Sequence, residues 1–135
     1  MRQVHLKYGQ DDARDAGLLR QELVARGMEV TDGTQPLRRK ISARTTDQRL
    51  VRGDYVVVLV SPESVASQAV MDELQRNLAA RRFEDRILAV MIRPTFVLPW
   101  CFRKLPMFTL WDDRAAGIEH LVEAIKGTKR QRAAG

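Results

Sequence analysis

Six consecutive apolar residues, Tyr55-Val56-Val57-Val58-Leu59-Val60, constrain this chain more than any other stretch. The run is far shorter than the roughly 18–20 residues a membrane span needs. It is also too uniformly apolar for a strand with one face in water. It fits a strand covered on both faces, the condition of a central strand in a parallel sheet. Ile87-Leu88-Ala89-Val90-Met91-Ile92 repeats the pattern and predicts a second such strand. Parallel neighbours cannot be joined by a tight hairpin, so the segments between them should contain helices.

The rest of the chain alternates accordingly. Val4–Tyr8 spaces Val4, Leu6 and Tyr8 at period two, a first strand broken by Gly9 and Gln10. Asp11 or Asp12 can cap the next helix, on which Ala16, Leu19, Leu23 and Val24 form an apolar stripe. Arg26 and Gly27 close that helix, and Met28–Thr31 reads as a second strand. Asp32-Gly33 turns into a polar, basic loop over Thr34–Lys40, expected to be the least ordered internal segment, and Ile41–Arg52 is weakly helical. Ser61-Pro62 ends the central strand. The clearest helix is Ser67–Arg82, where Val70, Leu74 and Leu78 recur every fourth residue and Ser64 or Ser67 can cap. Arg93-Pro94 closes the second apolar strand, and Thr95–Met107 reads as a long irregular segment. Phe108–Trp111 supplies a fifth strand, and Ile118–Lys126 a last helix with Leu121, Val122 and Ile125 inward. These elements predict a flavodoxin-like three-layer α/β sandwich. Its five-stranded parallel sheet has the order 2-1-3-4-5, with helices on both faces.

A chain of 135 residues is one domain's worth, expected over 1–127 with a basic flexible tail or linker at 128–135. There is one cysteine, Cys101, so no intrachain disulfide can form, and the two histidines, His5 and His120, lack ligand spacing. No metal is expected. The N-terminus has no apolar core of a signal peptide, which points to the cytoplasm and away from a membrane. Lys and Arg number 23 against 17 Asp and Glu, a formal charge of +6. No aromatic residues interleave with the basic runs, so a stacking platform for nucleic acid is not expected.

In a 2-1-3-4-5 sheet the switch point lies between strands 1 and 3, and ligands bind where the carboxyl ends of those strands open. The residues converging there are Tyr8–Asp12, Ser61–Ser67 and the first turns of the following helix. That crevice has no G-x-x-x-x-G-K-[ST] and no G-x-G-x-x-G, which excludes P-loop and dinucleotide-fold chemistry. A receiver domain would need an aspartate where Ser61 stands, and no G-x-S-x-G elbow exists. One carboxylate remains, Glu73, one residue before Leu74 and therefore at the edge of the apolar stripe. Residue physics leaves two readings open: a group facing the crevice, or an ordinary glutamate aiding the helix dipole. At such an edge, Glu73→Gln should change stability by no more than about 0.5 kcal/mol.

The segments Val4-His5-Leu6-Lys7-Tyr8, Gly27-Met28-Glu29-Val30, Gly53–Pro62 and Ser67–Leu74 together resemble a bacterial-type Toll/interleukin-1 receptor (TIR) domain. Ile87–Ile92 with Pro94, and Trp111 after a strand, extend the likeness over about residues 3–126. The resemblance implies one of two functions. Some members hydrolyse NAD⁺ to nicotinamide and ADP-ribose, linear or cyclic, when self-assembly activates them in signalling or anti-phage defence. Others are non-catalytic adaptors that act by homotypic assembly, here through the basic loop Asp32–Lys40. For an enzyme, Glu73 would be the catalytic glutamate. Tyr8, Gly9, Gln10, Asp11, Ser61, Ser67, Arg38 and Arg39 would touch the substrate, the arginines through its pyrophosphate. NAD⁺ is then the substrate, no cofactor is implied, and the tail suits a linker to a sensor domain. The sequence departs from the pattern at His5-Leu6-Lys7-Tyr8, usually Phe-Ile-Ser-Tyr, and at Ala69 and Val70, often Trp and Cys. It also lacks the glycine usual near Arg38–Lys40.

Overall fold

The computed structural model describes residues 3–32, 55–79 and 86–126. Five strands form one sheet: β1 (Gln3–Lys7), β2 (Glu29–Asp32), β3 (Tyr55–Val60), β4 (Ile87–Met91) and β5 (Met107–Thr109). Their order is β2-β1-β3-β4-β5, and each neighbouring pair is parallel. β3 lies at the centre, with Lys7 opposite Val58 on one side and Val60 opposite Met91 on the other. All six of its residues are buried, as an unbroken apolar run requires.

Among the described residues, four helices accompany the sheet: α1 (Ala13–Ala25), α2 (Pro62–Val65), α3 (Gln68–Ala79) and α4 (Arg114–Lys126). The pleat sorts side chains by parity. Leu6, Tyr55, Val57, Leu59, Leu88 and Val90 pack with Leu19 and Leu23 of α1 and Ile118, Leu121 and Ile125 of α4. Val56, Val58, Val60, Ile87 and Ala89 pack on the opposite side, with Leu74 of α3. The sheet is therefore covered on both faces, and apolar burial on each side supplies the drive for the three layers.

Several local expectations shift. Val24 is half exposed, because it lies about 100° around the helix from Leu23, off the stripe through Ala16 and Leu19. Asp12 stands at the N-cap of α1, but its side chain makes no capping hydrogen bond. The 95–107 segment is not wholly irregular. A 3₁₀ turn over Trp100–Lys104 sends Cys101, Phe102 and Leu105 into the core beside β4. α4 starts a turn before Ile118, where the Asp113 carboxylate accepts from the Ala116 amide. The expectations for Thr34–Lys40, Ile41–Arg52, Arg38, Arg39 and the 128–135 tail lie outside the described residues.

α1 ends as foreseen on Gly27, whose φ of +90° suits glycine. The cation at that helix end comes from elsewhere: Lys126 Nζ donates to the Arg26 carbonyl oxygen at 2.6 Å. Gly117 answers a different need. A Cβ there would lie 2.1 Å from the Thr109 carbonyl oxygen, so α4 sits against β5 closer than any side chain permits.

Candidate functional site

Lys7 is the last residue of β1, on the face opposite Leu6 and hence toward α3. The chain then passes so close to α3 that a Cβ on Gly9 would lie 3.4 Å from Val70 Cγ2. One turn along the helix, Glu73 meets the strand end. Lys7 Nζ donates to Glu73 Oε2 at 3.2 Å, and Arg76 donates to Oε1 at 3.0 Å. The Lys7 and Glu73 side chains are 5% and 6% exposed, whereas that of Arg76 is 51% exposed.

Glu73 is therefore buried, not poised at the edge of the stripe. Val70, Glu73 and Leu74 stand at i, i+3 and i+4 and share one helix face. A carboxylate survives there because a buried ammonium faces it. Replacing Glu73 by Gln would strand that ammonium, a change that typically costs about 3–5 kcal/mol. The stability-neutral substitution expected from an edge position does not hold.

A second polar cluster lies beside the first, where the 3₁₀ turn Gln10–Asp12 meets the loops after β3 and β4. Asp12 is fully buried. Its carboxylate accepts from Ser61 Oγ at 2.7 Å and from the Arg93 guanidinium. Arg93 also donates to Asp15 at 2.7 Å and to Glu63 at 2.9 Å. The hydrogen bond from Arg93 holds the Glu63 carboxyl below the usual glutamate range. The same bond, reinforced by Asp12, pushes the Arg93 pKa further up. This cluster ties three loops at the carboxyl end of the sheet into one frame.

The sequence profile of the TIR domain matches residues 4–122. The chain belongs to the TIR domain family. The crystal structure of the TIR domain of the Toll-related receptor TRR-2 from Hydra magnipapillata resembles it with a TM-score of 0.69. The two are 17% identical, and the match covers 91% of this chain and 97% of that one. At that identity the likeness establishes the fold alone. No curated protein matches the sequence. Among the described residues of this TIR domain, no helix is long and apolar enough to cross a membrane.

The expected site residues divide by position. Tyr8 is buried in the cluster that α1 and α4 cover, on the face away from Glu73, Gly9 passes beside α3, and Gln10 and Asp11 are exposed on the 3₁₀ turn. Ser61 is occupied: its Oγ donates to Asp12 and accepts from the Ser64 amide, one half of a capping box that starts α2. Ser67 Oγ accepts from the Val70 amide at 3.3 Å and opens α3. Both serines thus shape the helix starts around the crevice. Cys101 lies in the core cluster that Val60 and Leu74 share, and burial pushes its thiol pKa up.

Two groups escaped the sequence reading. Arg93 registered only as the end of a strand, although a charged residue directly after a buried run must find partners at the sheet's edge. Lys7 registered only as a departure from the family pattern. A lysine at an inward position of a strand was itself the signal, since a buried ammonium requires a carboxylate.

Proposed function

We propose that this TIR domain cleaves NAD⁺ between nicotinamide and ribose, with Glu73 as the catalytic group. The observation that carries this reading is a buried carboxylate beside the carboxyl end of β1, against the loop that follows it. Cleavage of the N-glycosidic bond passes through an oxocarbenium-like state. The bonding pair leaves with nicotinamide, which departs neutral because its ring was cationic, so no general acid is needed. One carboxylate can accept from the ribose hydroxyls and oppose the charge growing on the sugar. Water then adds at the anomeric carbon to give linear ADP-ribose, or an adenine nitrogen adds to give a cyclic product. In this reading Tyr8, Gly9, Gln10, Asp11 and Ser67 border the substrate, and Ser61 holds the loop frame. Arg38 and Arg39 carry charge suited to the pyrophosphate. Homotypic self-association, of the kind other TIR domains use, would switch the activity on in cytoplasmic signalling or defence.

The test compares the wild type with the double variant Lys7→Met/Glu73→Gln. The pair is neutralised together so that no unmatched charge stays buried. Nicotinamide release should fall by on the order of 100- to 1,000-fold in the double variant. Equal release by the two proteins would remove Glu73 from the chemistry. One observation favours the adaptor reading: both oxygens of Glu73 are already hydrogen-bonded. A wild type that releases no nicotinamide, even concentrated and clustered, would establish that alternative.

A further inference from the structure

Two cations share the Glu73 carboxylate, and they are held very differently. Lys7 is as buried as the glutamate and belongs to a strand hydrogen-bonded on both sides. Withdrawing it would break a buried ion pair within the sheet layer. Arg76 is half exposed, pairs with Glu73 at i,i+3 on the same helix, and is free to swing into water. Pairs of that kind contribute little. Lys7 is thus a fixed partner of Oε2, and Arg76 a replaceable partner of Oε1.

From this asymmetry we infer that Lys7 is the positioning residue for Glu73, and that Arg76 occupies the place on Oε1 that a ribose hydroxyl takes when substrate binds. The inference rests on the proposed NAD⁺ cleavage and deepens it. Geometry and charge agree. Oε2 is committed to the interior, so a ligand diol can be accepted only at Oε1, on the side where Arg76 reaches solvent. With both cations in place the trio carries a net positive charge, which repels the cationic nicotinamide ring. Departure of the guanidinium removes that repulsion and frees an acceptor in one movement. Lys7 meanwhile restrains the carboxylate against the strand end, so that its approach to the sugar is set before substrate arrives.

The experiment uses Arg76→Gln and Lys7→Met, each measured against the wild type for KM and kcat per folded molecule, and for ADP-ribose binding by calorimetry. Arg76→Gln should lower KM and tighten ADP-ribose binding by about two- to fivefold, the worth of a partly exposed ion pair. Lys7→Met should lower kcat by about 10- to 100-fold, the range expected when a reacting group loses its orientation. A purely structural role for Lys7 would reduce the folded fraction but leave kcat per folded molecule unchanged, which would overturn its assignment. Unchanged or weaker ADP-ribose binding in Arg76→Gln would overturn the assignment of Oε1. If the wild type releases no nicotinamide, the proposed function fails by itself. The calorimetric comparison then decides the inference: tighter binding in Arg76→Gln sustains it, and equal or absent binding ends it.

Discussion

Arg93 stands where three carboxylates converge, one from the 3₁₀ turn and two from the helices α1 and α2, so its removal has a sharp consequence. Among the described residues, Arg93→Gln leaves the fully buried Asp12 carboxylate with the Ser61 hydroxyl alone, and it should cost about 2–4 kcal/mol, read as a lower urea midpoint. Its pH signature follows from Glu63. That carboxyl is held below its ordinary value of 4.5, so folding binds fewer protons there than unfolding does. The resulting stabilisation is present in full above the ordinary value and is lost as the pH falls through the depressed one. Arg93→Gln should therefore show a shallower loss of thermal stability between about pH 5 and pH 3 than the wild type. Curves of equal slope would mean that Glu63 owes nothing to Arg93. At this scale the sequence was only partly legible. The position of Glu73 near the first strand could be argued from element order, but its burial could not, because the partner that permits it lies 66 residues away. Long-range charge pairing has no local periodicity, and Lys7, Asp12 and Arg93 share none.

Among the elements, the contact between α4 and β5 is the least tolerant of change. In an exposed helix Gly→Ala is ordinarily favourable by about 1 kcal/mol. At Gly117 the added methyl would meet both the Thr109 carbonyl and a Leu110 methyl. Gly117→Ala should instead destabilise by about 1–3 kcal/mol or more, as overpacking does, and calorimetric melting would show it. A variant as stable as the wild type would mean that α4 can slide outward at no cost. The central strands were legible as unbroken apolar runs, and the first strand and the helices by periods of two and 3.6, signals written in neighbouring residues. The 3₁₀ turn at Trp100–Lys104 was not. Phe102 is among the largest fully buried side chains, yet Pro99 and Pro106 on either side gave the segment the composition of a loop.

For the whole molecule, the proposed dependence on self-association makes a kinetic prediction. Nicotinamide release per molecule should rise with protein concentration and with a clustering agent. A rate per molecule that stays constant over about a hundredfold dilution, while light scattering shows monomers throughout, would contradict it. The sheet order was deducible because the handedness of β–α–β crossovers leaves few topologies for five strands.

The hydrogen bond from Lys126 to the carbonyl that ends α1 has a practical corollary for how such assays are built. α4 returns against the strand direction, and its last residue is moored beside Arg26, just ahead of Glu29, where β2 begins. That is the amino end of the strands, opposite the carboxyl ends where Lys7, Glu73 and Arg93 lie. A dye, an affinity handle or a surface tether joined at the end of α4 is attached on the far side of the domain from the crevice. Immobilised through that end, the protein presents its crevice outward to whatever flows past.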